Sequence, residues 1–237
     1  MPRIEIVIPM AGEGKRFRDA GYPHPKPFID VRGEPMIIKV IKNLRPISDC
    51  FTLICRANHI ERLERLVDPL NMNIRCVPVP GLTEGSVSTV LTIRDMLAPE
   101  VPVMIANADQ LIEYDPKAWW EHVKEARTHS IWCFGPVNHP KWSYAKIEGC
   151  YITEVAEKNP ISQWATVGAY YWRKWENYVD AADNMMRDEN NRVNGEWYNC
   201  PVYNEAIKRG QKVRPFFPNR MIGLGTPEDL KAYLAEK

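Results

Sequence analysis

The sequence lacks the cysteine and histidine spacings that build disulfide frameworks and zinc sites. Its six cysteines are scattered without a C-x-x-C pair, and its five histidines do not pair at metal-binding spacing. Scattered cysteines of this kind are typical of reduced, mostly packed thiols in a cytoplasmic protein. We therefore expect free thiols, a cytoplasmic location and no zinc site.

Long apolar runs and a strong net charge are also missing. No apolar stretch approaches the roughly 18 residues that a bilayer-spanning helix needs, and the amino-terminal residues show no signal-peptide pattern. The formal net charge is +1, so no overall field draws the chain to nucleic acid or to a membrane. We expect neither partner.

The first 110 residues alternate between short β-branched segments and amphipathic segments. This alternation predicts a parallel sheet with helices on both of its faces. The predicted strands cover residues 4–9, 51–55, 73–77 and 101–106, and the predicted helices cover residues 35–44, 60–67 and 86–97.

The second half of the chain is richer in tryptophan and tyrosine, and its predicted strands favour an antiparallel or mixed sheet. No repeat or linker interrupts the sequence, so we predict one domain over residues 1–237. The strands cover residues 130–137, 143–148, 151–158, 164–173 and 213–217, and helices are predicted at 116–127, 175–187, 200–209 and from Thr226 onward.

A glycine-rich loop follows the first predicted strand. Residues 10–27 contain Gly12-Glu13-Gly14-Lys15-Arg16 and then Pro25-Lys26-Pro27. Loops of this length are usually functional or disordered, and the glycines and cations favour function. Backbone amides with Arg16 and Lys26 as charges would suit phosphate groups. The dinucleotide motif would need glycine where Phe17 stands, and the P-loop motif is absent, which argues against classical NAD enzymes and P-loop ATPases.

Three features fall at the carboxyl ends of predicted strands, where α/β sheets bind ligands. They are the loop at 12–16, the pair Gly85-Ser86 and Asp109. We expect them to converge on one pocket. A carboxylate that faces phosphates is a typical magnesium ligand, and the structural alternative for Asp109 is a helix N-cap or a turn residue.

The order of these motifs resembles the signature of nucleotidyltransferases that make nucleotide-activated sugars and similar compounds. Residues 11–16 match its A-G-x-G-x-R loop, residues 25–27 its P-K-P, and residues 33–35 its G-x-P. Further along the chain, Gly85-Ser86 resembles the second nucleotide loop and Asp109 the metal aspartate. The other matching segments are Glu157-Lys158, residues 167–170, Gly195-Glu196 and residues 225–230.

The resemblance implies an α/β, three-layer Rossmann-like fold of GT-A type, with a mainly parallel sheet and a small antiparallel sheet on the acceptor side. Residues 1–112 would form a nucleotide-binding half and residues 113–237 an acceptor-binding half. It also implies Mg²⁺-dependent transfer of a nucleoside monophosphate from an NTP to a phosphorylated acceptor, with release of pyrophosphate. Such a reaction depends on positioning and charge neutralisation.

The resemblance assigns roles to individual residues. Arg16 would stabilise the leaving pyrophosphate, Lys26 the α-phosphate, and Asp109 would hold the metal. The implied nucleotide-binding residues are Met10, Ala11, Gly12, Glu13, Gly14, Lys15, Gly85, Ser86 and Ala108, and the implied acceptor-binding residues are Tyr144, Lys146, Glu157, Lys158, Gly168 and Glu196.

Three departures leave the substrates open. The second loop reads Thr83-Glu84-Gly85-Ser86-Val87 where G-T-A is common in the family. Gly223 stands where the family often has a second metal aspartate, and the acceptor half is unusually aromatic. The form Ile-Pro-Met-Ala-Gly is similar to a capsule-type branch that includes cytidylyltransferases acting on phosphocholine or phosphoglutamine. The sequence leaves CTP, UTP and dTTP as candidate nucleotides, and sugar 1-phosphates and small non-sugar phosphates as candidate acceptors. It is also compatible with a homo-oligomer.

Two other classes compete with this interpretation. A GT-A glycosyltransferase would usually carry an acidic D-x-D pair, whereas Asn107-Ala108-Asp109 has one of the two acids. A non-catalytic, regulatory nucleotide-binding module is favoured by Gly223 and disfavoured by the intact Arg16 and Lys26.

Overall fold

One mixed sheet runs through the chain, which the computed structural model describes over residues 3–236, apart from the side chain of Ala126. Its strands follow the order β10-β9-β11-β6-β1-β4-β5, while β8 pairs with β11 and β12 with β8. These strands are β1 (Glu5–Met10), β4 (Cys50–Arg56), β5 (Asn73–Val79), β6 (Val103–Ala106), β8 (His129–Phe134), β9 (Ser143–Glu148), β10 (Tyr151–Glu157), β11 (Ala165–Trp172) and β12 (Val213–Phe216).

The predicted fold class is confirmed. Strands β5, β4, β1 and β6 are parallel, as the alternation of the first half predicted. The aromatic strands of the second half join the same sheet through antiparallel pairs of β11 with β6, β8 and β9. Two small antiparallel sheets pair β13 (Arg220–Gly223) with β7 (Gln110–Glu113) and β2 (Asp30–Val31) with β3 (Glu34–Pro35).

Helices cover both faces of the sheet and give three layers. One apolar core contains residues of α2, α3, α5 and α8, and the other contains residues of α4, α6 and α7. Strand β1 supplies both cores, since Ile6 and Ile8 face one and Val7 the other, as expected of a strand that is buried on both sides. The helices are α1 (Lys15–Asp19), α2 (Met36–Leu44), α3 (Ile60–Val67), α4 (Ser86–Leu91), α5 (Pro116–Ala126), α6 (Trp175–Met185), α7 (Val202–Lys208) and α8 (Pro227–Ala235).

Three local predictions need correction. The helix expected over 86–97 ends at Leu91, because the next residues form tighter turns in which the Thr92 hydroxyl donates to the carbonyl of Thr89 at 2.7 Å. The loop at 10–27 contains the short helix α1, which Phe17 anchors in the core. Strands β7 and β13 were not predicted, because each is only four residues long and carries no periodic pattern of its own.

The predicted start of the last helix is confirmed. The Thr226 hydroxyl accepts a hydrogen bond from the backbone N–H of Asp229 at 3.1 Å, and Pro227 occupies the first helical position. Among residues 3–236, no helix has the length and apolar character that crossing a membrane would require.

Candidate active site

A cavity of about 500 Å³ opens at the carboxyl ends of β1 and β6. The three strand-end features converge there, as predicted. Of the residues that the sequence assigned to the site, the lining contains Met10, Ala11, Gly12, Gly14, Arg16, Lys26, Gly85, Ser86, Ala108, Asp109, Glu157, Gly168 and Glu196.

The glycine-rich loop turns from β1 into α1 through Gly14. This residue has a φ of 62°, and a Cβ there would lie 3.1 Å from the Cβ of Lys26. Glycine therefore lets the loop pack closely against the segment that carries Lys26. A Cβ at Gly12 would meet no atom within 4 Å, so the backbone of Gly12 borders open cavity.

Lys26 and Asp109 face each other across the cavity. The Lys26 ammonium donates a hydrogen bond to Oδ2 of Asp109, and both side chains are about a quarter exposed. Asp109 precedes strand β7, so it does not cap a helix, and its backbone carbonyl accepts the N–H of Leu224 at 2.8 Å. Its carboxylate is thus held at the cavity by a cation from the glycine-rich segment.

A second carboxylate, that of Asp229, lies beside Gly223. A Cβ at Gly223 would lie 3.8 Å from Oδ2 of Asp229, and a Cβ at Gly225 would lie 3.0 Å from Oδ2 of Asp109. Asp229 lines the cavity and pairs with the ammonium of Lys141 at 3.3 Å. Sequence reasoning missed this carboxylate, because Asp229 belongs to a segment that was interpreted only as a helix start.

These two carboxylates are a donor set that suits magnesium. Mg²⁺ in nucleotide sites is usually bound by one or two carboxylates together with substrate phosphates. The described part of the chain contains no cluster of three or more histidine, cysteine, aspartate or glutamate side chains placed to bind a metal. The lining therefore contains carboxylates of the kind that bind Mg²⁺ together with phosphates, those of Asp109 and Asp229.

Gly168 lies within β11, beside Asn107, which follows β6 and leads to Asp109. It has a φ of 65°, and a Cβ there would lie 2.1 Å from Nδ2 of Asn107. Its carbonyl accepts the backbone N–H of Asn107 at 2.9 Å. Next to Asp109, the Nε2 atom of Gln110 is buried without a hydrogen-bond partner among the described residues, and Gln110 lines the cavity. Sequence reasoning missed this unpaired donor.

Acidic and aromatic side chains also line the cavity. The Ser143 hydroxyl donates to Oε2 of Glu157, and burial raises the pKa of the Glu157 carboxyl. The Lys158 ammonium donates to the Tyr198 hydroxyl at 2.6 Å and lies 4.2 Å from the centre of that ring. Burial, together with a hydrogen bond to Glu196, raises the pKa of Tyr198. Trp142 completes this part of the lining.

Five predicted site residues lie outside the cavity lining. Lys15 pairs with Glu13 at 3.1 Å, and this contact lowers the pKa of the Glu13 carboxyl. Lys146 pairs with Glu148 at 3.0 Å on the surface. Lys158 contacts Tyr198 from behind the lining.

Tyr144 is the fifth of these residues, and it is fully buried. Its hydroxyl donates to the carbonyl of His139 at 2.9 Å and accepts the N–H of His139 at 2.7 Å. Tyr144 therefore supports the loop that carries Lys141 and Trp142, and it does not face the cavity.

The model of the nucleotidyl transferase family matches residues 6–214 of the chain. The chain belongs to this family. The family resemblance drawn from the sequence is thus confirmed, and so is its consequence that the chain is a nucleotidyltransferase. The placement in a capsule-type branch stays a prediction.

Three individual proteins are similar to the chain. A nucleoside-diphosphate-sugar pyrophosphorylase from Vibrio cholerae RC9 superposes with a TM-score of 0.82 and 23% identity, over 98% of this chain and 100% of its own. The inositol-1-phosphate CTP transferase of T. maritima superposes with a TM-score of 0.79 and 16% identity, over 98% of this chain and 94% of its own. The bifunctional protein GlmU of Methanocaldococcus jannaschii is 26% identical over 113 residues, which span 47% of this chain and 26% of that protein. The chain thus aligns with about a quarter of this curated relative, and the likeness to the two structures shows the fold.

Proposed function

We propose that the chain transfers a nucleoside monophosphate from an NTP to the phosphate of a small acceptor and releases pyrophosphate. The observation that carries this proposal is the convergence of the 12–16 loop, Lys26 and Asp109 on one cavity within a nucleotidyl transferase fold. In the proposed division of labour, residues 1–112 hold the nucleotide and residues 113–237 hold the acceptor.

The proposed reaction is a direct displacement at phosphorus. An acceptor phosphate oxygen forms a bond to the α-phosphorus, and the bond from that phosphorus to the bridging oxygen breaks. Pyrophosphate leaves with the electron pair. The protein supplies orientation and positive charge, and no covalent intermediate is required.

The glycine-rich loop and two cations have separate roles in this proposal. Backbone N–H groups around Gly12 bind the phosphate chain, and Arg16 neutralises the pyrophosphate as its charge grows. Lys26 leaves Asp109 and moves to the α-phosphate when the nucleotide enters. Asp109 and Asp229 would then hold Mg²⁺, whose contribution when bound is to neutralise charge on the phosphate oxygens.

The cavity supports an acceptor that carries a positive group. Glu157 and Glu196 place two carboxylates at the acceptor end, and the faces of Trp142 and Tyr198 are surfaces to which cations are attracted. Two ammonium groups of the chain already occupy such positions, that of Lys158 over Tyr198 and that of Lys141 over Trp142 at 4.6 Å from the ring centre. A cationic acceptor would have to take the place of one of them. Among the open acceptors, we therefore favour small non-sugar phosphates with an amine or ammonium group over sugar 1-phosphates.

Pyrophosphate release tests the proposal. The protein is mixed with CTP, UTP or dTTP, with Mg²⁺, and with a panel that contains phosphocholine, phosphoglutamine and sugar 1-phosphates. Release that depends on both substrates and is lost in Lys26→Ala supports the transferase. Release of a nucleoside diphosphate from a nucleotide sugar would instead indicate the glycosyltransferase, and binding without any release would indicate the regulatory module.

The same panel tests the acceptor class. Activity confined to sugar 1-phosphates would contradict the preference for a cationic acceptor, but it would not contradict the proposed transferase reaction.

Among the described residues all six cysteines are free, and only Cys150 is exposed. Free, mostly packed thiols confirm that prediction, and they support the cytoplasmic location that we propose.

A further inference from the structure

A second cavity, of about 310 Å³, lies at the amino-terminal end of β6. Its lining includes Pro102, just before β6, and Tyr171, near the end of the antiparallel neighbour β11. The candidate active site lies at the opposite ends of these strands, where Asn107 and Gly168 meet. The second cavity is therefore separate from the proposed site of the transfer reaction.

Positive charge is concentrated around this cavity. Among residues 3–236, the side chains of Lys124, Arg127 and Arg173 form no ion pair, and all three contribute to the lining. The fourth cation, Lys174, pairs with Glu100 at 2.8 Å, and Glu100 is the acidic residue of the lining. Three uncompensated cations stand out in a chain whose net charge is +1, and they favour an anionic ligand.

Arg127 holds an unusual backbone conformation. It follows the last turn of α5 with a φ of 45°, in the left-handed region where glycine is favoured. For a residue with a Cβ, this conformation costs about 1 kcal/mol. The Arg173 guanidinium donates to the Arg127 carbonyl at 2.8 Å, so the partial negative charge at this helix end is already compensated. The chain thus keeps a cation where glycine would be more stable.

Aromatic side chains form the apolar part of the wall. Trp120 is half-buried and Tyr171 is buried, and both line the cavity. A ring can stack on Trp120, whereas Tyr171 is 3% exposed and packs its ring against Trp119 in the core. Phosphate oxygens can accept hydrogen bonds from nearby arginine and lysine. We propose that this cavity is a second binding site, for a nucleoside di- or triphosphate whose phosphates contact Lys124, Arg127 and Arg173. The site goes beyond the transfer reaction and does not depend on it.

Hydrogen–deuterium exchange can separate the two sites, because they lie in different peptides. The probes are CTP, UTP, dTTP, UDP-glucose and inorganic pyrophosphate, each added to the full chain. We expect a nucleotide to slow exchange at 120–127 and 171–174 as well as in the 10–28 loop. Protection of the second site by the NTPs would identify a substrate as its ligand, and protection by UDP-glucose would identify an activated product. Protection confined to the 10–28 loop with all probes would overturn the proposal.

Arg127→Gly is the sharpest variant, because it removes the cation and relaxes the backbone at once. Combined with Lys124→Gln, it should weaken nucleotide binding at the second site at least about tenfold, since hydrogen bonds to charged groups are lost. Calorimetric titration should then show one fewer equivalent bound, while the melting temperature stays equal or rises. Lys117→Gln, at the other end of α5, is the matched control and should bind like the wild type.

Undiminished binding in the double variant would refute the second site. Pyrophosphate release is measured separately on the same proteins. A chain that binds at the second site but releases no pyrophosphate would contradict the proposed transferase alone, so the two proposals fail independently.

Discussion

The ammonium of Lys26 and the carboxylate of Asp109 form an ion pair in the lining of the candidate active site. The two residues are 83 positions apart in the sequence, and both side chains are about a quarter exposed. The pair keeps both charges in place before any substrate binds. An entering nucleotide offers each of them a better partner, because the phosphates attract Lys26 and the accompanying metal attracts Asp109.

Lys26→Met should abolish most of the activity without unfolding the protein. Methionine keeps much of the aliphatic stem but removes the charge that is proposed to act on the α-phosphate. We expect turnover to fall at least about a hundredfold, the scale of losing one preorganised charge contact. Steady-state pyrophosphate release measures this, with circular dichroism as the check on folding. Full turnover in a folded variant would remove Lys26 from the proposed mechanism.

Asp109→Asn and Asp229→Asn should each weaken metal binding. We expect the apparent affinity for Mn²⁺, in the presence of a non-hydrolysable NTP, to drop about tenfold or more, because a neutral amide replaces an anionic ligand. Electron paramagnetic resonance of free Mn²⁺ measures this without relying on turnover. Asp183→Asn, which affects a surface ion pair with Arg94, is the control. If Asp229→Asn binds Mn²⁺ like the control, the Asp229 carboxylate only pairs with Lys141 from the first turn of α8.

Two glycines of the site should respond differently to alanine. At Gly85 φ is 122°, and a Cβ would lie 2.5 Å from backbone atoms of Trp197, so Gly85→Ala should lower the free energy of unfolding by about 2 kcal/mol or more. The added Cβ of Gly12→Ala would meet no atom within 4 Å. The free energy of unfolding of this variant should therefore stay within about 0.5 kcal/mol of that of the wild type.

The added methyl group of Gly12→Ala should matter only for the ligand. It projects where the backbone would approach phosphates, so the dissociation constant for NTP should rise about tenfold. Urea unfolding and calorimetric titration of the two variants measure both quantities. An unchanged dissociation constant in Gly12→Ala would show that no phosphate approaches the open space beside Gly12.

The sequence predicted those parts of the site that directly follow a recognisable buried strand. The glycine-rich loop and Asp109 follow buried strands, and parallel strands bring such ends together whatever the details of packing. Tyr144 and Lys146 were assigned to the acceptor site, but successive residues of a strand face opposite sides of the sheet. Ser143 faces Glu157 and the cavity, so Tyr144 and Lys146 belong to the other face. The family motifs did not show which of two successive residues, Ser143 or Tyr144, faces the cavity.

Asp229 and the second cavity could not be found in this way. The proximity of Asp229 to Gly223 depends on how α8 packs back on β13, and a motif typical of helix starts carries no information about that contact. Lys124, Arg127 and Arg173 come from the end of a helix and the end of a strand 46 residues later. Only the three-dimensional fold brings these charges to one cavity.

The buried ring of His129 should make the fold sensitive to acid. Its Nδ1 accepts the backbone N–H of Arg173 at 3.2 Å, so the proton of the neutral ring must lie on Nε2, which donates to Oε1 of Gln211 at 3.1 Å. Protonation of Nδ1 would place two N–H groups against each other. Burial lowers the pKa of His129 to about 4.

The unfolded chain binds this proton at about pH 6.5 and the native state only near pH 4, so stability is lost as the pH falls through that window. The difference between the pKa of about 6.5 in the unfolded chain and about 4 in the native state corresponds to about 3 kcal/mol of unfolding free energy. Between pH 7 and pH 4.5, wild type should therefore lose about 2 to 3 kcal/mol more unfolding free energy than His129→Gln, which cannot titrate there. Urea unfolding at the two pH values measures the difference, and His122 and the carboxylates cancel because both proteins contain them. Parallel losses in the two proteins would mean that His129 is protonated in the native state without cost.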